Sequence, residues 1–142
     1  MKALLAVALA ALAFTGGSPH VVARSADGDV VAELRLPPSG EFALEYLHSY
    51  YRRPARETFR ATSDGFELVA VSSPSEAVLD YYEIAGARER RGGRWTLRPA
   101  RRARFETMAL AATAVGRRTL VAGAERVPLY GGDVHLRLAV ER

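Results

Sequence analysis

Residues 40–57 read GEFALEYLHSYYRRPARE, and the rest of the chain is best understood outward from them. Phe42, Leu44 and Tyr46 recur at every second position, the period of a strand with one buried face. His48 continues that row in phase, and Ala43, Glu45, Leu47 and Ser49 take the opposite face. A polar and aromatic cluster follows at once: His48, Ser49, Tyr50, Tyr51, Arg52 and Arg53, then Pro54, Arg56 and Glu57. Loops carried by a rigid scaffold are where binding groups collect. This stretch therefore offers both a core strand and a candidate site.

The flanks repeat the pattern. Over residues 30–36, Val30, Ala32, Leu34 and Leu36 alternate with Val31, Glu33 and Arg35, a half-buried strand stopped by Pro37-Pro38-Ser39-Gly40. Glu57, Phe59 and Ala61 alternate with Arg56, Thr58, Arg60 and Thr62. Ser63-Asp64-Gly65 then turns the chain into an apolar strand from Phe66 to Val71, so 55–62 and 65–72 form a hairpin. Residues 79–84 are read as a strand on the β propensity of Tyr81, Tyr82 and Ile84. Further short strands are expected at 94–98, around Trp95, and at 105–113, 119–124 and 127–129. At the end Val134, Leu136, Leu138 and Val140 face inward. About eight short strands with glycine turns between them predict one all-β domain, an antiparallel sandwich or partly open barrel.

Composition narrows the chemistry. The 142 residues are 49% hydrophobic and 25% charged, the balance of a folded globular domain, and none is cysteine. Disulfides, thiolate catalysis and cysteine-ligated zinc are thereby excluded. Of the 20 basic residues only Lys2 is lysine, and the net charge of +4 is too mild to indicate nucleic acid. Met1-Lys2, an apolar run from Ala3 to Phe14 and the small residues after it match a secretory leader. The run is shorter than a membrane span requires, with a retained anchor as the alternative. Cleavage points follow Ala13, Gly17 or Ala23; the expectation is a signal peptide over 1–23 and an exported domain, periplasmic or extracytoplasmic, over 24–142.

No catalytic constellation emerges. Adjacent strand residues point to opposite faces, so Ser49 is poorly placed for activation by His48, and no G-x-S-x-G elbow is present. His20, His48 and His135 are isolated, without metal-ligand spacing; neither a metal nor a cofactor is expected. Two readings of His48 stand. As a structural group it donates to a backbone carbonyl or to Glu57. As a functional group it joins Ser49, Tyr50, Arg52 and Arg56 at the mouth of the sandwich, gripping an anion or a partner in a pH-sensitive way, with Glu57 orienting His48 or Arg52. A second feature is residues 88–104, RERRGGRWTLRPARRAR. There Arg88, Arg90, Arg91, Arg94, Arg98, Arg101, Arg102 and Arg104 oppose only Glu89. It reads either as an anion-binding face for lipid headgroups or envelope polymer, or as a solvated edge.

The spacing H-S-x-x-x-x-P-x-x-E, on His48, Ser49, Pro54 and Glu57, resembles the bacterial domain-of-unknown-function family 1850. Arg117-Arg118-Thr119-Leu120 and Val127-Pro128-Leu129 resemble its closing strands. The glycine-rich segment that many members carry after the hairpin is replaced here by the sequence from Ser73 to Tyr82. The resemblance implies an exported accessory to a tripartite (TRAP-type) solute transporter, with transporter subunits or a small anion as partner and no catalytic role. The alternative is an envelope-binding module using the arginine-rich face.

Overall fold

The computed structural model describes residues 17–142. The chain runs β1 (His20–Ser25), β2 (Val30–Arg35), β3 (Glu41–Leu47), β4 (Pro54–Thr62), β5 (Gly65–Ser73), α1 (Glu76–Tyr81) and β6 (Gly86–Arg91). It continues through β7 (Arg94–Pro99), β8 (Arg104–Phe105), β9 (Thr107–Ala111), β10 (Thr119–Ala122), β11 (Glu125–Pro128) and β12 (His135–Glu141). One sheet has the order β2-β1-β12-β9; the other has β11-β10-β3-β4-β5-β7-β6, with β8 paired beside β5. Every pairing is antiparallel. The fold is all-β, as its alternating pattern predicts: two sheets over one core, and no closed barrel.

The predicted inward rows build that core. Ala32 and Leu34 are buried while Glu33 and Arg35 are exposed. Phe42, Leu44, Phe59, Phe66 and Leu68 of the larger sheet join Val21, Leu136 and Leu138 of the smaller in a single apolar cluster. Its centre is a group of four rings. Phe42 stacks on Phe59 at 5.3 Å between centroids, Phe66 meets both edge-on, and Phe105 stacks on Phe66 at 5.5 Å. Such offset and edge-on pairs add to the stabilisation from burial alone.

Three expectations are corrected. Residues 79–84 are not a strand: Glu76–Tyr81 is a helix, because Val78 and Leu79 reach complete burial that way. Packing of that pair outweighs the β propensity of the tyrosines. Glu83, at φ +53°, then ends the segment. Two valines expected to face inward do not: Val30 is 50% exposed, and Val134 lies outside β12 and is 43% exposed. The strand count is twelve among the described residues, because β1 and β6 fall in segments expected to be leader and arginine-rich surface, and residues 105–113 divide between β8 and β9.

The structure also bears on where the domain starts. The leader expectation for positions 1–16 lies outside the described residues. Positions 21–23, however, are Val21, Val22 and Ala23, at 1% exposure or less in the middle of β1. A boundary between 23 and 24 would cut a strand that pairs with both β2 and β12.

Candidate functional site

The polar stretch identified from the sequence is the loop joining β3 to β4. His48 N–H donates to the Arg53 carbonyl and Arg52 N–H to the His48 carbonyl, both at 2.8 Å. Arg52 takes φ +53° to close the loop. These bonds bring the two strand ends together without a glycine, at the cost of a left-handed arginine.

His48 lies underneath this loop at 4% exposure. Its Nδ1 accepts the Tyr51 backbone N–H at 3.3 Å, so the neutral ring carries its proton on Nε2. The Tyr81 ring meets the imidazole edge-on at 4.6 Å, and Tyr51 lies tilted at 5.4 Å. Burial of the ring lowers its pKa below the usual histidine value. The geometry is that of a loop-organising side chain. Serine activation is not part of it, since Nδ1 is committed to Tyr51 and Ser49 is exposed.

The titration gives a test with a definite sign. A folded pKa below the unfolded one means that the neutral ring stabilises the fold. That contribution is present above about pH 6.5 and is lost as pH falls through the folded value. His48→Ala should cost about 2 kcal/mol near pH 8, because it leaves the Tyr51 N–H without its acceptor. It should also flatten the acid-side fall in the urea midpoint. An unchanged pH profile in the variant would remove His48 from the acid response.

Glu57 does not orient His48 or Arg52. It accepts a hydrogen bond from the Tyr82 hydroxyl at 2.7 Å, and that hydroxyl also bonds the Tyr46 hydroxyl. Burial and the Glu57 charge raise both phenol pKa values, Tyr46 to about 12 and Tyr82 further still. Neither phenol is a base near neutral pH. The Arg118 guanidinium lies 4.7 Å from the centre of the Tyr46 ring, and its Nε donates to the Ala111 carbonyl at 2.9 Å. Tyr46, His48, Ser49, Tyr81, Tyr82 and Arg118 together line a cleft of about 390 Å³.

Above the cleft the surface is aromatic. Tyr50 is 74% exposed, Tyr81 60% and Tyr51 37%. Tyr50 meets Tyr51 edge-on at 4.9 Å and lies parallel to Tyr81 at 6.5 Å. Arg52 and Arg53 flank the tyrosines, both exposed and without an ion pair among the described residues. Of the predicted set, His48, Ser49, Tyr50 and Arg52 gather at this end of the sandwich. Arg56 does not: it faces the other side of the sheet, bonded to Glu45 at 2.5 Å. Tyr81 and Tyr82 were missed because they were assigned to a strand; the paired aromatics themselves were the available signal.

The arginine-rich segment does not form one basic face. Arg88 is paired with Asp80 at 2.6 Å, and Arg102 and Arg104 flank Glu67 at 2.5 and 3.7 Å. Antiparallel partners share a face. Arg88 and Arg90, opposite Leu97 and Trp95, are therefore on one side of the β6–β7 hairpin, with Arg91, Arg94 and Arg98 on the other. Arg90 stacks over Trp95 at 5.6 Å, and Arg101 sits on the exposed connection before β8.

Among the described residues, no group of three or more His, Cys, Asp or Glu side chains is placed to hold a metal ion, and no helix is long and apolar enough to cross a membrane. No protein-family model, curated protein or solved structure matches the chain.

Proposed function

We propose that this chain is a non-catalytic binding domain that docks a partner protein through the tyrosine-capped loop end. The observation that carries the reading is the exposed, mutually packed cluster of Tyr50, Tyr51 and Tyr81 beside Arg52 and Arg53. Tyrosine and arginine are the residues over-represented where protein interfaces concentrate their binding energy. A tyrosine ring covers a large area while ordering few torsions, and its hydroxyl tolerates water in the free state. The two arginines favour an acidic rim on the partner. An exported accessory to a solute transporter, contacting one of its subunits, is the role implied by the family resemblance, and it rests on that resemblance alone.

The envelope-binding alternative has less support, because three of its eight arginines are held by the chain's own carboxylates. The test is in-cell crosslinking followed by recovery of the tagged protein from native membranes. Wild type should bring down a transporter subunit, and the Tyr50→Ala/Tyr81→Ala double variant should lose it by about tenfold or more. Equal recovery of that subunit with both proteins, or its absence from both, would refute the docking site.

A further inference from the structure

The outer face of the larger sheet carries a second concave site, which reaches Leu47 and Pro54 at the base of the tyrosine loop but includes none of its tyrosines. Strand pairing sets it out. Thr96 pairs with Ser72, Ser72 with Arg56, Arg56 with Glu45, and Glu45 with Thr119, so one polar row crosses five strands on a single face. Arg94 stands two residues along β7 from Thr96, on the same face. Arg126 pairs with Val121, which lies two residues along β10 from Thr119, again on that face. Arg117 precedes β10 at φ +49°. The result is a groove of about 550 Å³ lined by Arg56, Arg94, Arg117 and Arg126, with Glu45 between them and Tyr130 at the wall.

Charge is unevenly satisfied in this groove. Glu45 takes hydrogen bonds from both Arg56 and Arg126 at 2.5 Å. Those two guanidiniums, Arg126 foremost, hold its carboxyl below the usual glutamate range. Arg94 and Arg117 have no carboxylate partner among the described residues. Four guanidiniums against one carboxylate leave the groove at net +3. A cavity of this size takes a small organic ligand and is too roomy for one phosphate. Guanidinium forks are suited to bidentate contact with carboxylate and phosphate groups.

We infer that this groove binds a soluble small molecule carrying at least two carboxylate or phosphate groups. Arg94 and Arg117 make the direct contacts. Glu45 acts as an internal competitor that holds Arg56 and Arg126 in place until the ligand's own oxygens share them. The site goes beyond the docking surface proposed above, and it uses none of the same residues.

Isothermal titration of the full domain with citrate and with pyrophosphate tests it, with inorganic phosphate and phosphatidylglycerol vesicles as the other arms. Wild type should bind citrate or pyrophosphate more tightly than phosphate. Arg94→Gln/Arg117→Gln should weaken that binding by about tenfold or more, whereas Glu45→Gln should strengthen it by releasing two guanidiniums. Thermal melts of each variant separate lost binding from lost folding. Absence of binding, equal affinity for phosphate and pyrophosphate, affinity unmoved by the substitutions, or binding to vesicles alone would each overturn the assignment.

Discussion

A chain that begins at Arg24 will not fold, whereas one that begins at Ser18 will melt cooperatively. The shorter chain loses Val21 and Val22, each all but completely buried, and burial of a valine stabilises by about 1.5–3 kcal/mol. It also loses four of the six residues of β1, the strand to which β2 pairs among the described residues. Pro19 is lost as well, and its carbonyl accepts the Leu36 N–H at 2.9 Å. Against a total of roughly 5–15 kcal/mol for a domain, these losses are decisive. Circular dichroism melts of the two chains give the answer, and a cooperative transition for the shorter one would show that β1 is dispensable. Of the three cleavage points, the one after Ala23 is therefore incompatible with the fold. Should the chain be processed, the new amino terminus is expected at or before Ser18.

Phe59→Ala should be the most damaging single truncation, at about 3–5 kcal/mol. Phe59 is 1% exposed and touches Phe42, Phe66 and Phe105, so its removal leaves a cavity walled by three rings that cannot collapse together. β4 lies between β3 and β5 and carries the ring into the middle of the larger sheet, where the backbone is held on both sides. Phe59→Leu, which keeps most of the volume, should cost only about 1–1.5 kcal/mol. Urea unfolding of the three proteins measures both values. A cost below about 1 kcal/mol for the alanine variant would mean that the ring cluster is not the centre of the core.

Much of this architecture was legible because period-2 alternation is a local property. Ala32 with Leu34, Phe42 with Leu44, and Leu136 with Leu138 each announced a buried face within one strand. Ser63-Asp64-Gly65 announced the turn between β4 and β5. β1 was hidden because Val21, Val22 and Ala23 are as apolar and small as the end of a leader, and one of the two strands that flank them lies more than a hundred residues away. The helix was hidden because Val78 and Leu79 choose it through tertiary packing.

The site divides along the same line. His48, Ser49, Tyr50 and Arg52 were found together because they are neighbours in sequence. The association of Glu57 with Tyr82, and of Glu45 with Arg126, depends on strand order. No spacing rule reveals that order. Arg56 shows the limit most plainly: it is one residue from Glu57 and points to the opposite face, where it belongs to a different site.

The pairing of β1 with β12 also has a consequence in time. His20 lies opposite Glu141, so the first strand of the domain is zipped to the last across about 120 residues of intervening chain. Contacts this distant in sequence close late, after the entropy of a long loop has been overcome. A polypeptide delivered amino terminus first, whether from a ribosome or through a translocation pore, cannot complete the smaller sheet until its final residues emerge. Until then Val21 and Val22 have no β12 to cover them. The larger sheet can form before the last residues arrive, and the smaller sheet is the part that closes at the end.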